Sequence, residues 1–197
     1  MIAGLLLAAG RSVRFGGDKL LAQLCGRRVV RWSVESLAAN VDVIYAVVPP
    51  GAHELIRALG GINVVFVEHL GRDQGLASSI GAGVAALSDE VEAVLIALGD
   101  QPLVSSVIGS RLVAAWRARH ARAVAPKYRD RVGHPVLLDR RCFAQLSALT
   151  GDQGARTLLD SLGSELELVR VDENAPADVD TREALRVLET ATACREL

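Results

Sequence analysis

The sequence predicts an α/β fold, a three-layer α/β/α sandwich around a mostly parallel sheet, in a single domain over residues 1–197. Two observations carry this prediction. Short apolar runs alternate along the chain with longer segments of helical spacing, the order that places helices on both faces of a sheet. The runs are also apolar at consecutive rather than alternate positions, as strands covered on both faces require. With 50% of its 197 residues hydrophobic, the chain holds enough apolar material for one core of this size.

Taken in order, Ile2–Leu7 is the first apolar run, and Val29–Ala39 the first segment with helical spacing. Val43–Val48 and Val64–Val67 read as strands on either side of a helix over Ala52–Leu59, with Pro49-Pro50-Gly51 and Gly60-Gly61 as punctuation. A helix over Leu76–Leu87 then leads to a strand at Ala93–Leu98, a helix over Val107–Arg119 and a strand at Ala121–Ala125. Arg140–Leu149, Gly154–Leu162 and Arg182–Ala193 complete the helices. Leu166–Val171 alternates Leu and Glu and reads as a half-exposed edge or antiparallel strand.

Several classes are excluded. No apolar run approaches the roughly 18 residues of a membrane span, and Ile2–Ala9 has neither the basic start nor the sequel of a signal peptide; a cytoplasmic location is expected. Cys25, Cys142 and Cys194 are far apart and odd in number, so they are expected as isolated thiols. A net charge of -1 and 4% aromatic residues speak against a nucleic-acid binder. The near-neutrality hides a division. Residues 1–31 carry six basic groups against one acidic, and residues 160–197 four against ten. Only Lys19 and Lys127 are lysines among 22 basic residues.

In open α/β sheets ligands sit at the carboxyl ends of the strands, so the loops there matter most. After the first strand comes Leu7-Ala8-Ala9-Gly10-Arg11-Ser12-Val13-Arg14-Phe15-Gly16-Gly17-Asp18-Lys19. Its small residues bare the backbone N–H groups, and Arg11, Arg14 and Lys19 add positive charge, a composition suited to phosphate. A solvated glycine-rich turn has the same composition. After the fourth strand comes Gly99-Asp100-Gln101-Pro102. A carboxylate beside a triphosphate needs an intervening hard cation such as Mg²⁺, although Asp100 is also placed to cap a helix near Ser105. Gly75 to Gly83 carries Ser78 and Ser79 at a helix start, where hydroxyls either bind a nucleoside or cap the helix. Asp178 and Asp180 are spaced to face one way in an extended segment; Asp180 to Glu183 also has the spacing of a capping box. His134, in Gly-His-Pro, and Asp152 and Arg156, in Gly-Asp-Gln-Gly-Ala-Arg, are candidate polar contacts, with structural donor and helix cap as their other readings.

The motif L-A-A-G-R-S-x-R-F-G-x-x-K resembles the opening of the MobA-like nucleotidyltransferases, and its Ala-Ala-Gly form the molybdenum cofactor cytidylyltransferase branch. The resemblance spans nearly the whole chain. It implies a Rossmann-like sheet of the nucleotide-diphospho-sugar transferase type, with Leu7, Ala8, Ala9 and Gly10 against the nucleoside and Arg14 and Lys19 on the triphosphate, assisted by Arg11. It also places Ser79 at the nucleoside and Mg²⁺ on Asp100 and Asp180, the second of these preferred over Asp178. His134, Asp152 and Arg156 would face the pterin substrate. The implied reaction moves CMP from CTP to the phosphate of molybdopterin-type cofactor and releases pyrophosphate, the product passing to a recipient molybdoenzyme. The acceptor phosphate is already ionised, so Arg14, Lys19 and Asp100 carry catalysis by positioning and charge neutralisation without a general base. Two alternatives stand beside it: a related enzyme using GTP or another phosphorylated acceptor, and a non-catalytic carrier of the cofactor.

Overall fold

The computed structural model describes residues 1–71, 75–151 and 154–192. Nine strands form in chain order: β1 (Ile2–Leu7), β2 (Gln23–Leu24), β3 (Arg27–Arg28), β4 (Val43–Val48), β5 (Val64–Glu68), β6 (Ala93–Leu98), β7 (Ala123–Lys127), β8 (Val136–Asp139) and β9 (Leu166–Arg170). The helices are α1 (Val29–Ala38), α2 (His53–Ala58), α3 (Leu76–Ala85), α4 (Ser106–Arg119), α5 (Phe143–Ser147), α6 (Arg156–Ser161) and α7 (Arg182–Ala191).

Seven strands make one sheet in the order β5-β4-β1-β6-β8-β7-β9, while β2 and β3 form a separate antiparallel ribbon. Every neighbour in the large sheet is parallel except β8, which runs against both β6 and β7. Side chains along β1 divide by period two. Ile2 and Leu6 face one core, and Ala3, Leu5 and Leu7 the other. The first core gathers Val30, Val34 and Leu37 of α1 with Leu112 and Trp116 of α4. The second gathers Ile80 and Val84 of α3 with Leu146 of α5 and Leu158 of α6. Sheet and two helical layers are thus the expected sandwich.

Two differences from expectation have local causes. The sequence announces no strand over Gly133 to Leu138, yet Val136–Asp139 is an interior strand, paired over only four residues with β6; so short a run carries too little periodicity to declare itself. The helix expected over Arg140–Leu149 is a 3₁₀ turn over Arg140–Cys142 followed by α5. The Asp139 carboxylate accepts from the Arg141 backbone N–H at 3.0 Å and starts that tight turn. The edge strand β9 is parallel to β7. Cys142 is a buried free thiol, whereas Cys25 is disulfide-bonded, against the expectation of an isolated thiol. Among the described residues no helix is long and apolar enough to cross a membrane.

The chain runs from β1 outward through β4 and β5, then returns to β6 on the other side of β1. Leu7 and Leu98, the last residues of β1 and β6, are register partners. This is the switch point where an open α/β sheet leaves a crevice.

Candidate active site at the switch point

The loop after β1 stays close to the sheet for one more residue, because the Ala8 N–H donates to Val47 O at 2.9 Å. Ala8 turns its methyl into the first core and is 2% exposed, so it offers a ligand its backbone only. Gly10 is exposed, and a Cβ built there meets nothing within 4 Å. Packing therefore does not demand glycine at that position, and the space beside its backbone is open. The chain then makes a 3₁₀ turn over Val13–Phe15, anchored by buried Phe15 with the Arg182 guanidinium 5.1 Å from its ring centre. Asp18 accepts from the Leu20 N–H at 3.1 Å and opens a second turn that carries Lys19 inward, leaving it 9% exposed.

Gly99 ends β6 in a confined place. Its N–H donates to Leu7 O at 3.0 Å, and a Cβ would lie 3.2 Å from that oxygen and 3.3 Å from Leu20 Cδ2. Absence of a side chain lets Asp100 emerge directly over the end of β1. Ser105 caps α4, accepting from the Val107 N–H at 3.3 Å, so Asp100 is not used as its cap. From the other end of the chain, the Val179 N–H donates to Asp100 O at 2.9 Å. Thr181 caps α7, accepting from the Ala184 N–H at 3.0 Å; Asp180 is likewise released from capping.

The two carboxylates meet on one cation. Lys19 Nζ donates to Asp100 Oδ2 at 2.5 Å and to Asp180 Oδ1 at 2.9 Å. Arg14 Nη2 donates to Asp180 Oδ2 at 2.7 Å. Burial pulls the Lys19 ammonium down, but the charges and hydrogen bonds of Asp100 and Asp180 outweigh it and hold it above the ordinary lysine value. The Lys19 hydrogen bond holds the Asp180 carboxyl below its ordinary range against burial, with the Lys19 and Arg14 charges adding to it. The Arg14 side chain is 74% exposed and that of Lys19 11%, so the Lys19 contacts are the inner pair and Arg14 the screened rim.

Above this cluster lies a cleft of ≈ 400 Å³ lined by Leu7, Ala9, Gly10, Arg11, Lys19, Ser79, Asp100 and Asp178 among others. A second cleft, ≈ 560 Å³, is lined by Lys127, Arg131, His134, Arg156 and Asp178 among others. Both include Leu98 and Asp178, so they adjoin. In the second cleft burial pulls the His134 imidazole down to about 4, with Arg131 adding to the shift and Asp100 opposing it; it is neutral at pH 7. Tyr128 OH donates to His134 O at 2.8 Å.

The structure thus brings Arg14, Lys19, Asp100 and Asp180 into contact, lines the first cleft with Leu7, Ala9, Gly10, Arg11 and Ser79, and lines the second with His134 and Arg156. Asp152 lies outside the described residues. Sequence reasoning passed over Gln101, whose Nε2 donates to Asp178 Oδ1 at 2.6 Å, although it sits inside a motif already singled out. Arg131 and the Arg182–Phe15 stack had no sequence signal. Among the described residues no group of three or more His, Cys, Asp or Glu is placed to hold a metal ion. A cation on Asp100 and Asp180 would need further oxygens from substrate or water. The donor set fits a hard divalent cation, since carboxylate and phosphate oxygens are its preferred ligands.

An open, mostly parallel sheet with a bare-backbone loop and an acidic pair at its switch point is the architecture of an α/β enzyme that handles nucleotides. The chain belongs to the family of the MobA-like NTP transferase domain, which it matches over residues 4–167, and is a nucleotidyltransferase. It is 30% identical to the purine catabolism protein PucB of Bacillus subtilis over 194 residues, 92% of this chain and 93% of that one. It is 25% identical to the molybdenum cofactor cytidylyltransferase of Escherichia coli over 142 residues, 72% of this chain and 71% of that one. Among solved structures, Rv0371c of Mycobacterium tuberculosis H37Rv superimposes with a TM-score of 0.83 at 30% identity, covering 96% of this chain and 98% of that one. A manganese complex of Rv0371c gives a TM-score of 0.79, over 96% and 97% of the two chains.

Proposed function

We propose that this chain, as a single domain over residues 1–197 acting in the cytoplasm, transfers CMP from CTP to the phosphate of molybdopterin-type cofactor with release of pyrophosphate. The observation that carries the reading is the meeting of Lys19, Asp100 and Asp180, from three distant parts of the chain, beside a cleft whose wall includes Gly10. Choice of CTP rests on the Ala-Ala-Gly form of the first loop and on similarity to the E. coli cytidylyltransferase. Relatives named probable molybdenum cofactor guanylyltransferase, such as the Thermococcus gammatolerans protein at 28% identity, keep GTP as the second reading.

Asp100 and Asp180 would hold Mg²⁺, which when bound neutralises phosphate charge and orients the triphosphate. The open space at Gly10 admits the nucleoside against bare backbone, with Ser79 lining the same cleft. Without substrate, Lys19 holds the two carboxylates close together. Arg14, at the exposed side of the same cluster, offers a guanidinium to the triphosphate. Arg156 and neutral His134 in the adjoining cleft face the acceptor, Arg156 toward its phosphate and His134 as a polar contact. A recipient molybdoenzyme would take the product. A carrier without catalysis would have no use for the Lys19 and carboxylate cluster.

The test is pyrophosphate release with Mg²⁺ and CTP, GTP or ATP, each with and without isolated cofactor. Release only with CTP plus cofactor is expected. Release with GTP would move the reading to a guanylyltransferase, and tight cofactor binding without release would make the chain a carrier.

A further inference from the structure

Gln101 is 7% exposed, donates through Nε2 to Asp178 Oδ1 at 2.6 Å, and leaves its Oε1 buried without a hydrogen-bond partner. An unpaired buried carbonyl oxygen is destabilising, because it has given up its water without gaining a donor. Turning the amide over would set that oxygen against the Asp178 carboxylate, because a carboxylate only accepts. The orientation of Gln101 is therefore dictated by Asp178, and one charge-assisted hydrogen bond is kept at the expense of an orphaned acceptor.

Asp178 is held from three sides. Besides the Gln101 bond, its backbone oxygen accepts from the Asp180 N–H at 3.0 Å, and the following Val179 N–H donates to Asp100 O at 2.9 Å. The side chain lies where the two clefts adjoin. Unlike Asp180, which has two cations against it, Asp178 has no ion pair among the described residues, and its Oδ2 has no partner there. Arg131 and Arg156 line the same acceptor-side cleft. A carboxylate with one fixed and one free oxygen attracts N–H and O–H donors and repels phosphate, which the guanidinium groups attract.

We propose that Gln101 is a positioning residue that fixes Asp178, so that its free oxygen takes a hydrogen bond from an N–H or O–H group of the acceptor and sets which way round the acceptor lies. The acceptor class is then a phosphate ester carrying such a donor group. This rests on the acceptor-cleft assignment made above and deepens it.

Gln101→Met keeps the volume and removes the donor; Asp178→Asn removes the charge while keeping Gln101 in place. For both, KM for the isolated cofactor should rise at least about tenfold, the worth of a hydrogen bond to a charged group, and by a clearly larger factor than KM for CTP, since Asp178 borders the nucleotide cleft as well. Calorimetric titration of cofactor into the nucleotide-free protein should weaken by the same factor. The double variant should be no worse than either single one, because both break one interaction. Equal rises in both KM values, additive effects, or a loss confined to melting temperature would overturn the proposal. If wild type binds CTP but no cofactor, the acceptor assignment itself fails, and this proposal with it. If wild type binds cofactor and Gln101→Met binds it as tightly, only the role of Gln101 falls.

Discussion

Replacing Lys19 by Met tests the electrostatics of the cluster directly. Lys19 Nζ lies 2.5 Å from one carboxylate oxygen and 2.9 Å from the other, so those oxygens are no more than about 5.4 Å apart. At an effective dielectric constant of about 20, two unit charges at that distance repel by about 3 kcal/mol. The Asp100 and Asp180 side chains are 20% and 33% exposed, and solvent screening reduces the expected penalty to about 2 kcal/mol. The assay is urea unfolding followed by circular dichroism at pH 7 and again below pH 4, with and without millimolar Mn²⁺. Asp180 has a depressed folded value, so the stability it contributes is present above its unfolded value and is lost as pH falls through the folded one. The Lys19→Met penalty should accordingly shrink in acid, where one carboxyl of the pair takes up a proton. It should also shrink with Mn²⁺, since a ligand at one hundred times its Kd adds about 2.7 kcal/mol. A penalty of the same size at both pH values and with or without the cation would refute this account and leave Lys19 a packing residue.

Other outcomes follow from the same geometry. Gly10→Ala should leave the urea midpoint unchanged and raise KM for CTP, whereas Gly99→Ala, with a Cβ 3.2 Å from Leu7 O, should lower stability by about 1–3 kcal/mol; equal midpoints for the two variants would contradict the distinction. His134 is depressed to about 4 from 6.5, so the unfolded chain binds its proton first and this residue's contribution is lost as pH falls from 6.5 toward 4. The loss is at most about 3 kcal/mol, and unfolding of His134→Asn between pH 6.5 and 4.5 should show a flatter pH dependence than wild type. Thr181→Ala should cost about 1 kcal/mol through the lost α7 cap, and Thr181→Asp should restore it, both measured by thermal unfolding.

The sheet was legible because its strands are apolar on both faces, and β1, β4 and β6 begin and end at the expected residues. β8 was not, because four residues between two neighbours declare neither period nor direction. The site residues were legible as types of chemistry in separate loops. Their pairing was not, since Lys19 and Asp180 are 161 residues apart and only the return of the chain beside Asp100 joins them. Capping of α7 shows the same limit. Asp180 and Thr181 are both able caps, and the choice of Thr181 depends on Lys19 and Arg14 claiming Asp180. Local sequence also hides Arg182 over Phe15, a contact between the last helix and the first loop.

The most direct measurement of the central claim, that the acidic pair and Lys19 form the centre of nucleotidyl transfer, is Mg²⁺-dependent pyrophosphate release from CTP with isolated cofactor, comparing wild type with Asp100→Asn at saturating Mg²⁺. A loss of at least about 100-fold, with an unfolding midpoint close to wild type, is the expected result. Release at the wild-type rate by Asp100→Asn would contradict it.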